Sequence, residues 1–415
     1  MAAPLAVAPD PAGDEPSLPV GTPVMAALTA IGPVSFQIFL PALPAIQTGF
    51  GVTPGTAQLA LSLSMFGIAF ATLAYGPLSD RFGRRPALIG GMATLIAGCL
   101  VCAFAPDITT LIVGRVLQAA GGASGMVVTR AIVVDIHGRE KARSVLASLM
   151  TVMIAGPLLA TPIGGLIVDG LGWRANFIAI AICAAAILAY LWRRLPETHR
   201  GQPLHGPVFA GFASLVRAPA FLGFALQSGF AMAAFMAFTT ASPYYFAEAL
   251  GIGATGFGFY VTLVTLGFLG GSLSASRLSS RVRIDRMVLL GSVVALAASA
   301  AALGLALGGI WTVWGLIGPA AAIGFANGLS MPSAQAGAVA SVPELAGTAS
   351  GLAGFLGTLI GAVATQIVGA FQDATPLPIA VAMTLASVCA LLAAWSALAT
   401  CPDAVRSAKP VVVAH

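Results

Sequence analysis

The sequence predicts an all-α polytopic membrane protein: twelve transmembrane helices in two pseudo-symmetric six-helix halves. Three observations lead there. First, 58% of the 415 residues are hydrophobic, only 8% are charged, and the mean hydropathy is +0.96. A soluble domain carries about 25% charged residues, so too little polar surface remains here to cover a globule in water. Second, twelve runs are apolar over the ~20 residues that a helix needs to cross a bilayer core. Third, starting with the N-terminus inside, 17 of the 19 Lys and Arg residues fall on one side of those runs, as short cytoplasmic loops require.

Taken in order, residues 1–23 are rich in Ala and Pro, carry Asp10, Asp14 and Glu15, and lack the basic start of a signal peptide. They predict a disordered cytoplasmic tail, with the first apolar run acting as an uncleaved insertion signal. The first half, 24–193, holds runs at 24–47, 57–78, 86–106, 109–132, 144–169 and 174–193. A polar cytoplasmic linker, 194–217, follows. The second half, 218–399, holds runs at 218–243, 254–276, 287–307, 311–334, 346–371 and 376–399, before a tail at 400–415. The 49 glycines suit close helix approach in lipid. Pro33, Pro41, Pro157 and Pro162 should kink their helices, which is tolerable where neighbours or a cavity satisfy the freed backbone groups. An echo of "GPLSDR" after span 2 as "GSLSASR" after span 8 points to a duplicated architecture.

Few polar groups lie inside the runs. Arg115, in span 4, stands about six residues, roughly 9 Å, from the outer end. It either snorkels to that surface or faces a central cavity, where a buried cation would favour a neutral or weakly anionic small molecule. Gln118 is one turn further along the same face. Gln227 in span 7 and Asn327 in span 10 are further candidate contacts. Phe36, Phe230, Phe235 and Met232 are candidates for an apolar lining. None of the fourteen acids falls at a span centre, and all four histidines are in loops or at the C-terminus.

The stretch "YGPLSDRFGRRP" between spans 2 and 3 crowds charge into a chain that has little. Its arginines anchor topology, but Asp80 works against the positive bias. The pattern Gly76, Leu78, Asp80, Arg81, Gly83, Arg84 and Arg85 resembles the loop signature of the major facilitator superfamily. "FLPALPAI", "GRVLQAAGGA", "AGPLLATPIGG", "LPET" and "ELAGTASGLAGFLG" resemble the bicyclomycin/chloramphenicol-type branch of drug–proton antiporters, so that the likeness covers nearly all of 24–399.

The resemblance implies a secondary transporter of small amphipathic drugs or metabolites in a bacterial cell inner membrane, both termini cytoplasmic, working by alternating access and proton antiport. It implies a conformational gate in which Asp80 caps the start of span 11 near Gly347–Thr348 and a loop arginine pairs with Asp135. It also implies that Gly156, Pro157, Gly164 and Gly165 of span 5 seal the interface between halves; tight packing is the alternative. The family's span-1 acid falls on Gln37. Glutamine can hydrogen-bond a substrate, or join two helices, but cannot titrate. Proton coupling therefore moves to Asp135, Asp169 or Glu248, or the protein is an uncoupled facilitator.

Other classes fit less well. The basic residues form no single patch, so no nucleic-acid partner is expected. There is no HExxH, no Walker A motif and no histidine within a span, so no cofactor, metal or ATP-driven step is expected. Cys99 and Cys102 have CxxC spacing but lie in an apolar run, as packing residues. A receptor or scaffold would not need the loop signature or the two-half layout.

Overall fold

The computed structural model describes residues 21–198, 212–279, 281–373 and 375–400. The N-terminal tail to residue 20, the linker from 199 to 211 and the C-terminal tail from 401 lie outside them. Among the described residues, eleven helices are long and apolar enough to cross a bilayer, and Gly156–Leu171 is a shorter apolar helix.

The first span is broken. Helix α1 (Thr22–Gln37) gives way to a 3-10 turn at Leu40–Ala42 and then to α2 (Leu43–Phe50). Pro41 and Pro44 force the break, because each sits where its missing N–H would continue the helix. The Ile38 carbonyl at the break accepts a hydrogen bond of 2.9 Å from Asn176 Nδ2 of α6 (Arg174–Arg194), so a neighbouring helix supplies what the broken one lost. After α2 the chain turns at Gly51, whose φ of +65° favours glycine. Helix α3 (Pro54–Phe82) then starts under a Thr53 cap, and α4 (Arg84–Ala103) returns.

Helical backbone continues from Ile108 to Leu171 as α5, where the sequence predicted two spans with a loop between them. A straight helix of these 64 residues would be roughly 96 Å long, about three bilayer cores. Its two arms instead lie against α1 in opposite directions. Gly125 and Gly122 of the first arm meet Leu28 and Gly32, while Gly156 and Gly164 of the second meet Val34 and Ile38. The chain therefore reverses between Ile136 and Gly156, and the arms are spans 4 and 5. Asp107 caps the first arm by accepting from Thr110 N–H at 2.8 Å, and Thr110's backbone and hydroxyl hydrogen bonds hold that carboxyl below its ordinary value.

The second half repeats the plan. A single turn, α7 (Phe212–Val216), ends the predicted linker, and α8 (Pro219–Glu248), α9 (Ala254–Leu278), α10 (Ile284–Leu307), α11 (Val313–Ala340), α12 (Ala346–Ala370) and α13 (Leu377–Thr400) follow. Glycine sets the closest approaches in both halves: a Cβ at Gly121 would overlap Leu95 of α4, and one at Gly328 would overlap Phe268 of α9. In lipid, where apolar burial does not drive helices together, such approach supplies the dispersion contact.

The cores show how the halves meet. At the end bearing the basic loops each half has its own core, one around Leu28, Leu88 and Val133 and one around Phe224, Val288 and Leu352. At the opposite end one core runs through both, joining Phe39, Leu43 and Phe177 to Tyr244, Phe246, Phe257 and Ile317. Four hydrogen bonds among the described residues also cross between halves at that end. They are Gln58 Nε2 to Thr240 O, Ser62 Oγ to Gln366 Oε1, Gln366 Nε2 to Gly55 O, and Thr255 N–H to Asp169. The structure is thus sealed at the end away from the basic loops.

Candidate functional site

Between the halves, near mid-membrane, lies a cavity of about 250 Å³. Its walls come from α1, α3, both arms of α5, α8 and α12. Phe36, Met65, Met232, Met236 and Phe235 make it apolar and adaptable, and Gln37 and Arg115 are its main polar groups. Among the described residues, no carboxylate lines it.

Arg115 does not snorkel. It is 1% exposed, and its guanidinium stacks on the Phe39 ring at 4.1 Å. Its Nη1 donates to Gln118 Oε1 at 2.5 Å and to the Ser35 carbonyl at 3.4 Å, while Nε has no partner among the described residues. Burying a charge without a counter-charge costs several kcal/mol even after the surroundings relax. The stack and the two acceptors offset only part of that, so an acceptor or anion entering the cavity would gain the remainder.

The other predicted contacts are distributed differently. Gln37 lines the cavity, and its Oε1 is buried without a partner among the described residues. Gln118 does not line it: Gln118 holds Arg115 through Oε1 and gives its own N–H to Cys99 Sγ at 3.1 Å. Gln227 is turned to Ser292 of α10 at 3.1 Å, and Asn327 to the Ala231 carbonyl of α8 at 3.0 Å. These three predicted contacts bond to neighbouring groups in this structure and are not among the residues that line the cavity. The helices are apolar on every face, so the sequence could not show which way α5, α8 and α11 are rotated. Phe230 also leaves the site and lines a separate apolar groove with Ile360 and Phe371.

The gate loop is built around Arg84. Its Nε donates to Asp135 Oδ2 at 2.9 Å and its Nη1 donates to Ser79 Oγ at 2.7 Å and to Asp80 Oδ1. The Arg84 and Arg85 backbone N–H groups, at the start of α4, donate to Glu197 of the "LPET" segment at 2.8 and 3.2 Å. Arg85 reaches the Trp192 carbonyl, and Arg81 is exposed, stacked 5.2 Å from Phe82. Asp80 does not meet α12. It is taken by Arg84, and Gly347 at the start of α12 faces open space. Among the described residues, the expected cap on Gly347–Thr348 is not formed in this conformation. Gly76 likewise faces open space, and nothing around it requires glycine.

Gly83 does require glycine. Its φ is +98°, and a Cβ would overlap the Glu197 carboxylate. Gly83→Ala is expected to cost about 1–3 kcal/mol from backbone strain and to lower the melting temperature in detergent. Glu197→Ala in the same chain should restore only part, since the strain stays. An unchanged melting curve would refute this account.

On the second arm of α5, Pro157 lines the cavity, Gly156 and Gly164 receive α1, and Gly165 receives the backbone of Ala254. Of this set Gly165 lies between the halves. The inter-half groups Gln58, Ser62, Gln366 and Asp169 were not predicted in this role. The glutamines, polar residues inside apolar runs, were the available signal.

Two six-span halves around a central cavity, sealed at one end, define a membrane transporter of the secondary type. The chain belongs to the Major Facilitator Superfamily, whose sequence profile matches residues 25–365. It is thereby a multi-pass inner-membrane protein and not an enzyme. Among its relatives, a bicyclomycin resistance protein homolog of Haemophilus influenzae is 26% identical over 88% of this chain and 93% of that protein. A chloramphenicol resistance protein of Pseudomonas aeruginosa is 29% identical over 86% and 85%, and multidrug resistance protein D of Escherichia coli 27% over 91% and 95%. In fold, the chain is similar to a bacterial homolog of the human lysosomal transporter Spinster in an inward-facing, occupied conformation, with a TM-score of 0.72 at 14% identity over 96% of this chain and all of that one. It is similarly close to a D-xylose–proton symporter, with a TM-score of 0.71 at 13% identity over 92% and 98%.

Proposed function

We propose that the chain exports small amphipathic drugs or metabolites by alternating access, preferring neutral or weakly anionic compounds. The observation that carries this reading is the central apolar cavity with a buried, acid-free arginine. A cationic ligand would meet Arg115 without a counter-charge, whereas a carbonyl, nitro or carboxylate group would complete its hydrogen bonding. The similarity to bicyclomycin, chloramphenicol and multidrug resistance proteins supports export of drug-like molecules. The basic loops mark the cytoplasmic end, with both termini on that side, so the sealed end is periplasmic and this is the conformation that loads from within.

The test is flux of a neutral, anionic and cationic substrate panel from proteoliposomes at fixed membrane potential, with a pH gradient imposed and then collapsed. Neutral and weakly anionic compounds should move, and cations much less; a strong preference for cations would overturn the reading. A second reading, an uncoupled facilitator, is favoured by Gln37 standing where the resembling antiporters carry an acid. Under it, collapsing the gradient leaves flux unchanged.

Gln37→Glu is expected to place a carboxylate in the same cavity as Arg115, raising cation flux several-fold or making flux depend on the gradient. If neither changes, Gln37 is not a substrate or coupling position.

A further inference from the structure

Asp169 stands near the end of the second arm of α5, in the first half. Its carboxylate accepts a hydrogen bond of 2.9 Å from the Thr255 N–H in the first turn of α9, in the second half. Three helices that begin at this end bring their own side-chain caps, Thr53 for α3, Asp107 for α5 and Thr312 for α11, while α6 begins at Trp173 without one. Helix α9 also lacks one of its own. Its cap position is Gly253, which has no side chain to offer, and a Cβ there would stand 3.4 Å from Asp169 Oδ2. Two glycines bring the carboxylate into range, since Cβ atoms at Gly165 and Gly258 would overlap Ala254 and Thr161–Pro162 respectively. The cap is thus borrowed across the interface and exists only while the halves are together at this end.

We propose that Asp169 is the latch of the periplasmic gate: it caps α9 from the opposite half, stabilises the outward-closed conformation, and lets go when that end opens. This rests on the alternating-access reading above. A carboxylate at a helix start both satisfies an orphan N–H and meets the positive end of the helix dipole. A cap available in one conformation and not the other biases the equilibrium between them by its own free energy. Asp169 is in this role a positioning residue of the transport cycle. It lies outside the central cavity, although its sequence position made it one of three candidate acids for proton coupling.

The experiment measures distances between spin labels at Thr109 and Ile310, exposed positions at this end of the two halves. The background carries alanine at Cys183, Cys389 and Cys401, leaving the fully buried Cys99 and Cys102 in place. In reconstituted protein Asp169→Ala should shift the closed-to-open ratio by roughly threefold to tenfold toward open, the worth of one charged cap. Asp169→Asn, which keeps an acceptor but no charge, should shift it less. Asp373→Ala removes an acid that binds within its own loop at the same end and should shift nothing. The proposal is overturned if folded Asp169→Ala and Asp169→Asn keep the parent's ratio, or if Asp373→Ala shifts it equally. A parent that exchanges between two outer distances while Asp169→Ala leaves their ratio unchanged sinks the latch alone. A parent showing a single outer distance with or without saturating substrate sinks alternating access and the latch together.

Discussion

Arg115→Ala is expected to abolish substrate binding while leaving the protein as stable as before, or slightly more so. The two effects separate because Arg115 is buried and faces no acid. Losing its hydrogen bonds to a ligand removes about 1.5–3 kcal/mol for each bond to the charged group, a factor of tenfold or more in affinity. Losing the charge itself relieves the desolvation that the folded protein now carries. Arg115→Lys should recover only part of the affinity. An ammonium keeps the charge but not the planar fork that stacks on Phe39 while bonding Gln118 and a ligand together. Equilibrium binding and thermal melting on the same preparations decide the matter. Affinity within twofold of the parent would remove Arg115 from the site, and a large fall in melting temperature would make its role structural.

Arg84→Ala is expected to reduce flux by an order of magnitude or more and to destabilise the basic end. The guanidinium holds Ser79, Asp80 and Asp135 at once, so its removal leaves two neighbouring carboxylates without a cation. Full burial would make that worth ~3–5 kcal/mol. The Asp80 side chain is 44% exposed, so solvent screening reduces the figure to about 1–3 kcal/mol. Arg84→Lys cannot span the three acceptors and should fall between. Asp80→Asn keeps an acceptor for Nη1 and should express well, melt near the parent and transport poorly only if Asp80 has a second partner. A large flux defect there with normal melting would place Asp80 on α12 in another conformation, as the loop signature implies. Parent-like flux in Arg84→Ala would reduce the loop to a topology anchor.

Much of the fold was legible because a bilayer constrains a chain so strongly. Backbone groups in lipid must be satisfied within each segment, so twenty apolar residues read as a helix crossing. The loop arginines read as one side. Pro41 read as a kink in span 1, which the structure resolves into α1, a 3-10 turn and α2. Arg115 stood out as a charge in an apolar run and Gln37 as the residue at the resembling family's span-1 acid position, and both line the cavity.

What only the tertiary structure decided is rotation and partnership. An apolar run has no polar face to orient it, so helix pattern alone did not separate Gln37, which reaches the cavity, from Gln227 and Asn327, which join neighbouring helices. The same holds for Asp80 and Asp169. Each read as an acid at the end of a span, but a carboxylate's role depends on which donor lies within hydrogen-bond reach. For Asp80 that donor is four residues away on its own loop; for Asp169 it is Thr255, 86 residues on and in the other half. The sequence by itself determined which segments cross the membrane and which end is basic, because those follow from local transfer free energies and loop charge. Which polar groups meet was left to helix rotation and to the conformation of the two halves, because a hydrogen bond is decided within about 3 Å and no local signal in an all-apolar helix carries that information.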